Sequence, residues 1–204
     1  MSNTTIGIIG SGNIGRGLAT HLAATSYPVL IANRHGRASL SELVSSIGGS
    51  LTAADLGAAI AQSDILFIAV PWTEVPNLAR ELEGHQGKII VDATNNIVSV
   101  NPFRLADTGG KPTGAYVAGL LPGQRVVKAF NTLAAATLAR PTQNNVGRTV
   151  IFLSGDDAEA KQAVATVTEA MSFTPVDIGT FQQGGHLQDI GGVLSSTEFI
   201  NVTR

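Results

Sequence analysis

The sequence contains no cysteine, which excludes a disulfide scaffold, thiolate metal ligands, iron–sulfur clusters and thiol nucleophiles. Charged residues make up 14% of the 204 residues, against about 25% in a typical domain. The 13 basic and 15 acidic residues give a net charge of −2. Nucleic acid and anionic lipid are therefore poor candidate partners, because both require clustered Lys and Arg.

Long apolar runs are also missing. The longest, Ile65–Val70, is far shorter than the roughly 18 residues of a membrane-spanning helix. The N-terminus has no basic region, and its first apolar run leads into a glycine loop, unlike a signal peptide. We therefore expect a cytoplasmic protein with no membrane partner. The low charge and the apolar segment Ile190–Phe199 favour a homodimer, the commonest oligomer.

Short apolar runs alternate with longer amphipathic stretches along the chain. The predicted strands are Thr5–Ile9, Val29–Asn33, Ile65–Val70, Lys88–Asp92, Arg125–Ala129, Thr149–Leu153 and Pro175–Ile178. The predicted helices are Asn13–Ser26, Ser39–Ser46, Ala53–Gln62, Thr73–Leu82, Ala134–Leu138 and Asp157–Met171. Continuous apolar strands are typical of sheets covered on both faces. The alternation predicts an α/β fold with a doubly wound, mostly parallel sheet, and Val98–Pro122 is predicted to be a long connection containing some helix.

A glycine-rich loop follows the first predicted strand and opens the first predicted helix. Its sequence G-S-G-N-I-G fits G-x-G-x-x-G in the strand–helix context that a dinucleotide-binding loop requires. Gly10 permits the tight turn, Gly12 lets a pyrophosphate approach the backbone, and Gly15 lets the helix pack on the strand. The predicted cofactor-binding residues of this loop are Gly10, Ser11, Gly12, Asn13, Ile14 and Gly15.

The end of the second predicted strand indicates which dinucleotide binds. NAD-binding proteins place an acid there for the ribose hydroxyls, whereas this chain has Asn33, Arg34 and Arg37, and no acid before Glu42. An amide beside guanidinium groups can accept a phosphate through charge-assisted hydrogen bonds. We therefore predict NADP(H), with Asn33, Arg34 and Arg37 as the phosphate clamp. The alternative is a solvated basic loop.

Other strand ends carry polar or turn-forming residues to the same edge, where open parallel sheets bind ligands. Ala69, Val70 and Pro71 are predicted to lie beside the adenosine. Thr94 and Asn95 are predicted to approach the nicotinamide ribose and carboxamide. Asn and Thr at strand ends can also be simple turn formers.

Five sequence blocks occur in the order found in one known group. They are G-S-G-N-I-G at 10–15, A-V-P-W at 69–72, D-A-T-N at 92–95, V-K-A-F-N-T at 127–132 and G-D-D-A at 155–158. With them the chain resembles, over roughly residues 5–194, the reductases that pass hydride between NADP(H) and the deazaflavin coenzyme F420, together with their short bacterial relatives.

The resemblance implies a dinucleotide-binding (Rossmann) domain over residues 1–179 and an extension over residues 180–204 that closes the substrate cleft. It implies NADP(H) at the sheet edge and coenzyme F420, or a flavin, as the second substrate. Asn131 and Thr132 would border the nicotinamide and the acceptor ring. Gln183, Gly184 and His186 would close the other side, although the family pattern leads us to expect a basic residue in place of His186.

No catalytic acid–base pair is evident, and no metal site is predicted. Hydride transfer between stacked rings depends mainly on position and orientation. His186 is the one histidine expected near the acceptor; it is a candidate proton donor or simply a packed or solvated residue. Lys128, on a predicted strand, either extends to solvent or pairs with an acid. Asp64, Asp156 and Asp157 are interpreted as turn and N-cap residues.

Three functions are compatible with these residues. The first is an NADP(H)-dependent oxidoreductase with a deazaflavin or flavin partner. The second is a small imine or carbonyl reductase, which needs an acid near the nicotinamide and usually a helical dimerisation domain that 204 residues hardly accommodate. The third is a protein that binds or senses NADP(H) without turnover.

Overall fold

The computed structural model describes residues 4–202, whose strands and helices follow the predicted alternation. The strands are β1 Ile6–Ile9, β2 Val29–Ala32, β3 Leu51–Ala53, β4 Ile65–Ile68, β5 Ile89–Asp92, β6 Ile97–Val100, β7 Phe103–Leu105, β8 Arg125–Lys128, β9 Gly147–Leu153, β10 Thr174–Asp177 and β11 Ile200–Val202. The helices are α1 Asn13–Ala23, α2 Ser41–Ile47, α3 Leu56–Gln62, α4 Val75–Glu81, α5 Thr113–Leu120, α6 Ala135–Leu138, α7 Ala158–Ala170 and α8 His186–Gln188.

A six-stranded parallel sheet in the order β3-β2-β1-β4-β5-β8 forms the centre of the molecule. Every residue of β1 and β4 is buried, and one apolar cluster packs on each face of the sheet. The predicted doubly wound α/β fold is confirmed. The chain leaves β1 towards β2 and later returns to its other side with β4, which creates the crevice at the carboxyl ends where such sheets bind ligands.

Two predicted details were wrong, and a third was incomplete. The strands predicted at Thr149–Leu153 and Pro175–Ile178 lie in a second sheet, in the order β10-β9-β11, and not in the main one. The helix predicted from Ala53 begins at Leu56, because Leu51–Ala53 is a short edge strand. The predicted connection Val98–Pro122 contains a helix, α5, as expected, and also most of the β6–β7 hairpin, which begins at Ile97 and was not predicted. The alternation in the hairpin, V-S-V at 98–100 and F-R-L at 103–105, is too short to predict a strand by itself, and all of β7 is exposed.

The C-terminal segment packs against the last strands. Strand β11 pairs antiparallel with β9, and the Ser196 amide donates to the Thr132 carbonyl at 2.9 Å. The division into residues 1–179 and 180–204 stays a prediction, and its outer ends, 1–3 and 203–204, lie outside the described residues. No helix within residues 4–202 is long and apolar enough to cross a membrane.

His21 joins helices α1 and α6. Its Nε2 donates to the Leu138 carbonyl at 2.7 Å, and its ring meets the Phe173 ring edge-on with centroids 5.0 Å apart. Burial lowers the pKa of His21 below its ordinary 6.5, and the hydrogen bond to Leu138 opposes this only in part. The folded protein therefore holds His21 neutral more strongly than the unfolded chain does.

We expect His21 to make the protein less stable in mild acid. As pH falls through about 6.5, the unfolded chain takes up a proton that the folded chain resists, so stability is lost as pH falls towards the lower folded pKa. His21→Gln keeps an N–H donor and removes the titration. Urea unfolding at pH 7.5 and 5.5 should show a smaller loss for His21→Gln than for wild type; equal losses would contradict this account.

Candidate functional site

The glycine loop brings β1, α1 and the loop after β4 unusually close together. Gly10 has φ of 112°, and a Cβ there would lie 2.3 Å from the Ala69 carbonyl oxygen. A Cβ on Gly15 would lie 2.0 Å from the Gly10 carbonyl oxygen. Gly12 is different, because nothing lies within 4 Å of the position a Cβ would take. The loop is thus packed tightly on one side and open on the other.

Helix α1 starts at this opening. Gly12 is its N-cap, in extended conformation, and Asn13 is its exposed first residue. Arg16 Nε donates a hydrogen bond to the Ser11 carbonyl oxygen at 3.1 Å. The first amides of an 11-residue helix and the positive end of its dipole favour an anion beside Gly12.

The larger of two adjoining clefts lies beside this loop, with a volume of about 360 Å³, within the range of small-molecule sites. Its walls are the carboxyl ends of β1, β2 and β4 and one face of α4. It brings together eight predicted cofactor-binding residues: Gly10, Ser11, Gly12, Asn33, Arg34, Ala69, Val70 and Pro71. Asn13, Gly15 and Arg37 are not among the residues that line it.

Asn33 joins the glycine loop to the loop that follows β2. Its Nδ2 donates to Ser11 Oγ at 2.9 Å and Ser39 Oγ at 3.1 Å, and its Oδ1 accepts from the His35 amide at 2.8 Å. The side chain of Asn33 is therefore engaged in fixing the loops, while Arg34 beside it extends its guanidinium into the open cleft mouth.

The guanidinium of Arg34 faces an acid across the cleft. Arg34 is 74% exposed, and its guanidinium lies 3.8 Å from the Glu74 carboxylate. Arg37 is exposed, and its amide donates to Asp55 at 3.2 Å. Arg34 is thus the basic side chain of the predicted clamp that lies in the cleft, and Arg37 lies outside its lining.

One wall of the cleft was missed by sequence reasoning. Glu74, Asn77, Leu78 and Glu81 line it, at spacings of three, four and seven residues that place them on one face of a helix. This helical spacing begins just after Pro71, and it was the sequence signal that could have identified this wall of the cleft. Two carboxylates, those of Glu74 and Glu81, therefore line this cleft, although no acid lies at the end of β2.

The second cleft adjoins the first along Ala69, Val70 and Pro71, with a volume of about 230 Å³. It brings together the predicted Ile14, Thr94 and Asn95 with Trp72, Ala93 and Ile97, which had not been predicted. Among its lining residues within 4–202 there is no carboxylate, imidazole or ammonium group. Trp72 stacks on Tyr116, with ring centroids 5.5 Å apart and planes 29° apart.

The turn after β8 is bonded to the turn after β5. Asn95 Nδ2 donates to the Asn131 carbonyl at 3.0 Å, and Asn131 Nδ2 donates to Asn95 Oδ1 at 3.2 Å. Phe130, buried and at φ of 64°, takes a left-handed conformation that costs a bulky residue about 1–3 kcal/mol. This turn places Asn131 against Asn95. Asn95 lines the second cleft, and Asn131 lies behind it. Thr132 is buried behind them.

Lys128 is completely buried and bonded to Asp92 at 2.9 Å. Of the two alternatives for Lys128, pairing with an acid is confirmed and extension to solvent was wrong. Asp157 caps α7 through the Ala160 amide, as interpreted from the sequence. The Arg125 guanidinium, bonded to Asp157 at 2.6 and 2.9 Å, holds the pKa of that carboxyl far below its usual range.

The predicted acceptor residues of the C-terminal segment have local partners. Gln183 and Thr180 form a reciprocal N-terminal cap for the π-helical turn Phe181–Gly185. A Cβ on Gly184 would lie 2.4 Å from the Ile178 carbonyl oxygen. His186 is 61% exposed, with Nδ1 3.2 Å from Asp189. None of Gln183, Gly184 and His186 lines either cleft.

Gln188, not singled out from the sequence, connects this segment to the site. Its side chain is fully buried; Nε2 donates to the Phe152 carbonyl at 2.9 Å. Oε1 accepts from Ser154 Oγ, and the Gln188 carbonyl accepts from Asn131 Nδ2 at 2.9 Å. One glutamine among several in a Gly/Gln-rich stretch gives no sequence signal for such a role. Within residues 4–202, no cluster of three His, Cys, Asp or Glu residues could hold a metal ion.

The chain is similar in sequence and fold to several known proteins. The chain is similar to the hypothetical protein SMa0349 of Sinorhizobium meliloti, with 38% identity, a TM-score of 0.91 and coverage of 97% of this chain and 96% of that one. A protein of Arthrobacter sp. FB24 assigned as an F420-dependent NADP-reductase shares the fold, with 24% identity, a TM-score of 0.75 and coverage of 90% and 88%.

A curated relative is the metalloreductase STEAP3 of Rattus norvegicus, 29% identical over 91% of this chain. The match covers 36% of that protein, so the chain spans about a third of its length. Residues 5–96 match the family model described as NADP oxidoreductase, coenzyme F420-dependent. This match runs from β1 to the turn that lines the second cleft, so this part of the chain is similar to that family.

Proposed function

We propose that this NADP-dependent oxidoreductase passes hydride between the nicotinamide of NADP(H) and the deazaflavin ring of coenzyme F420, or a related flavin, in the cytoplasm. The observation that carries the proposal is the second cleft. It continues directly from the dinucleotide cleft, and its lining of apolar, amide and hydroxyl groups contains no acid or base. Such a lining suits hydride transfer between two rings, which depends on their mutual position.

The cofactor would lie along both clefts. In this arrangement the adenosine occupies the first cleft against Val70 and Pro71, and the pyrophosphate lies at the start of α1 above Gly12. The nicotinamide ribose and carboxamide then reach Thr94 and Asn95. The support is that the two clefts share Ala69, Val70 and Pro71, so one extended dinucleotide can fill both.

Arg34 would be the principal contact of the phosphate on the adenosine ribose. That phosphate would replace Glu74 as the partner of Arg34, because a dianion interacts more strongly with the guanidinium than a carboxylate 3.8 Å away. Asn33 would shape the phosphate site by holding Ser11. Arg37, exposed and outside the cleft lining, would be a weaker outer member of the clamp.

The acceptor ring would approach the nicotinamide from the side of Trp72 and Ile97. Asn131 and Thr132 form the turn behind Asn95, and Gln183, Gly184 and His186 would border the acceptor where Gln188 attaches the C-terminal segment to Asn131. The exposed His186 would then meet the acceptor at its edge. An imine or carbonyl reductase would need an acid beside the nicotinamide, and the lining of the second cleft supplies no ionisable side chain.

Replacing Arg34 should weaken NADPH far more than NADH. A charge-assisted hydrogen bond contributes about 1.5–3 kcal/mol, so Arg34→Ala should raise the Kd of NADPH roughly 10- to 100-fold and leave that of NADH nearly unchanged. Arg37→Ala is the matched control and should cost less than about fivefold, because Arg37 lies outside the cleft lining. Fluorescence titration of wild type and both variants with NADPH and NADH measures the six constants. An unchanged NADPH/NADH preference in Arg34→Ala would overturn the clamp.

A panel of acceptors identifies the second substrate. The purified protein with NADPH should reduce a deazaflavin fastest, and FMN or FAD more slowly. It should reduce cyclic imines and ketones hardly at all, because no ionisable proton donor lines the second cleft. Loss of nicotinamide absorbance is the measurement. Rapid reduction of an imine or of a ferric chelate, with none of a deazaflavin, would contradict the proposal. Tight NADPH binding without any turnover would indicate a sensing protein instead.

A homodimer is the proposed assembly. Besides the low charge, apolar side chains are exposed in the β6–β7 hairpin and the C-terminal segment; Val100 is 79%, Phe103 58% and Val193 74% exposed. Light scattering at micromolar concentration should give about twice the 21.0 kDa mass of one chain. A single-chain mass would refute the dimer and leave the redox proposal intact.

A further inference from the structure

The buried pair Lys128–Asp92 lies directly beneath the second cleft without lining it. The two residues are neighbours in register on β8 and β5, both side chains are 0% exposed, and Lys128 Nζ lies 2.9 Å from Asp92 Oδ2. Burying two charges costs several kcal/mol per ion, and an apolar pair of similar volume is often as stable. Stability alone therefore gives no clear reason for charges at this point.

Both members of the pair converge on one residue of the cleft. Asp92 Oδ1 accepts from the Thr94 amide at 3.0 Å and from Thr94 Oγ1 at 2.7 Å. Lys128 Nζ donates to the Thr94 carbonyl oxygen at 2.6 Å. The amide, the carbonyl and the hydroxyl of Thr94 are thus all held by the same ion pair. Fixing the Thr94 backbone also fixes where the next residue, Asn95, begins.

The C-terminal segment braces the same group of residues. Gln188 Nε2 lies 3.4 Å from the Lys128 carbonyl oxygen, and the Gln188 carbonyl accepts from Asn131. Asn131 in turn bonds to Asn95. Thr94 and Asn95 are therefore fixed from the sheet by Lys128 and from the side by Gln188, and both line the second cleft.

We infer that Lys128 is a positioning residue: through Asp92 and the Thr94 carbonyl it sets the turn that receives the nicotinamide half of the cofactor. The inference rests on the proposed function, since it takes NADP(H) to lie along both clefts. Lys128 itself touches neither cofactor nor acceptor. Its effect is confined to the nicotinamide end, because the first cleft is built from β1, β2, β4 and α4 and includes no partner of Lys128.

Two ligands separate this role from a general contribution to folding. NADPH fills both clefts in the proposed arrangement, whereas 2′,5′-ADP fills the first cleft alone. The variants are Lys128→Met, the double variant Lys128→Met with Asp92→Asn, and the control Lys161→Met. Lys161 is a partly buried lysine whose Nζ bonds to Asp177 at 2.9 Å and to the Gly179 carbonyl at 3.2 Å. It therefore makes the same kinds of bond as Lys128, but away from both clefts. Thermal melts and fluorescence titrations are recorded for each.

Lys128→Met should lower the Tm, because it leaves the Asp92 carboxylate buried and unpaired. The double variant should recover most of that Tm. It should nevertheless bind NADPH at least about tenfold more weakly than wild type, because the Thr94 carbonyl has lost its donor, while its affinity for 2′,5′-ADP stays within about twofold. With an acceptor that wild type reduces, its kcat should fall roughly 100-fold, as misplacement of a reactant by about 1 Å can cause. Lys161→Met should keep wild-type affinity for both ligands.

The possible outcomes distinguish a failure of the positioning role of Lys128 from a failure of the proposed function. A double variant that recovers stability and NADPH affinity together, or one that loses both ligands equally, overturns the positioning role and leaves the proposed function standing. A double variant that does not fold overturns it as well, since Lys128 would then serve the fold itself. Wild-type protein that binds neither ligand overturns the proposed function and the inference with it.

Discussion

The site depends on a close approach of three backbone segments that glycine alone permits. Gly10 passes against the carbonyl of Ala69, and Gly15 packs on the carbonyl of Gly10, so α1 begins directly above the carboxyl ends of β1 and β4. Any side chain at Gly10 or Gly15 would separate the helix from the sheet. This contact places an anion-attracting helix start at the point where the strand order reverses, and both clefts extend from that point.

The second half of the site depends on buried polar bonds instead of close backbone packing. Asp92, Thr94 and Lys128 form a closed set of hydrogen bonds, and Asn95 and Asn131 extend it to Gln188 of the C-terminal segment. A conformation with left-handed φ at Phe130 completes the turn. The first cleft, the proposed adenosine site, is thus shaped by glycine geometry, while the second cleft, the proposed nicotinamide site, is shaped by a network that spans β5, β8 and α8.

The sequence was sufficient for the parts of the site that are local in the chain. Strand, glycine loop and helix are contiguous from Ile6 to Ala23, and apolar runs fixed the main strands. It was insufficient where the contact joins distant residues: Lys128 and Asp92 are 36 positions apart, and Gln188 reaches Asn131 across 57. Glu74 was missed because its position opposite Arg34 depends on how α4 packs beside β4. The alternation in the exposed β6–β7 hairpin, V-S-V at 98–100 and F-R-L at 103–105, is too short to predict strands.

The most direct test of the account is an experimental structure of the protein with NADP⁺ bound. The account predicts the 2′-phosphate within hydrogen-bond distance of the Arg34 guanidinium, with Glu74 displaced from it. It also predicts the pyrophosphate at the α1 amides above Gly12, and the nicotinamide against Thr94 and Asn95. A cofactor whose phosphate lies away from Arg34, or whose nicotinamide leaves the second cleft empty, would contradict it.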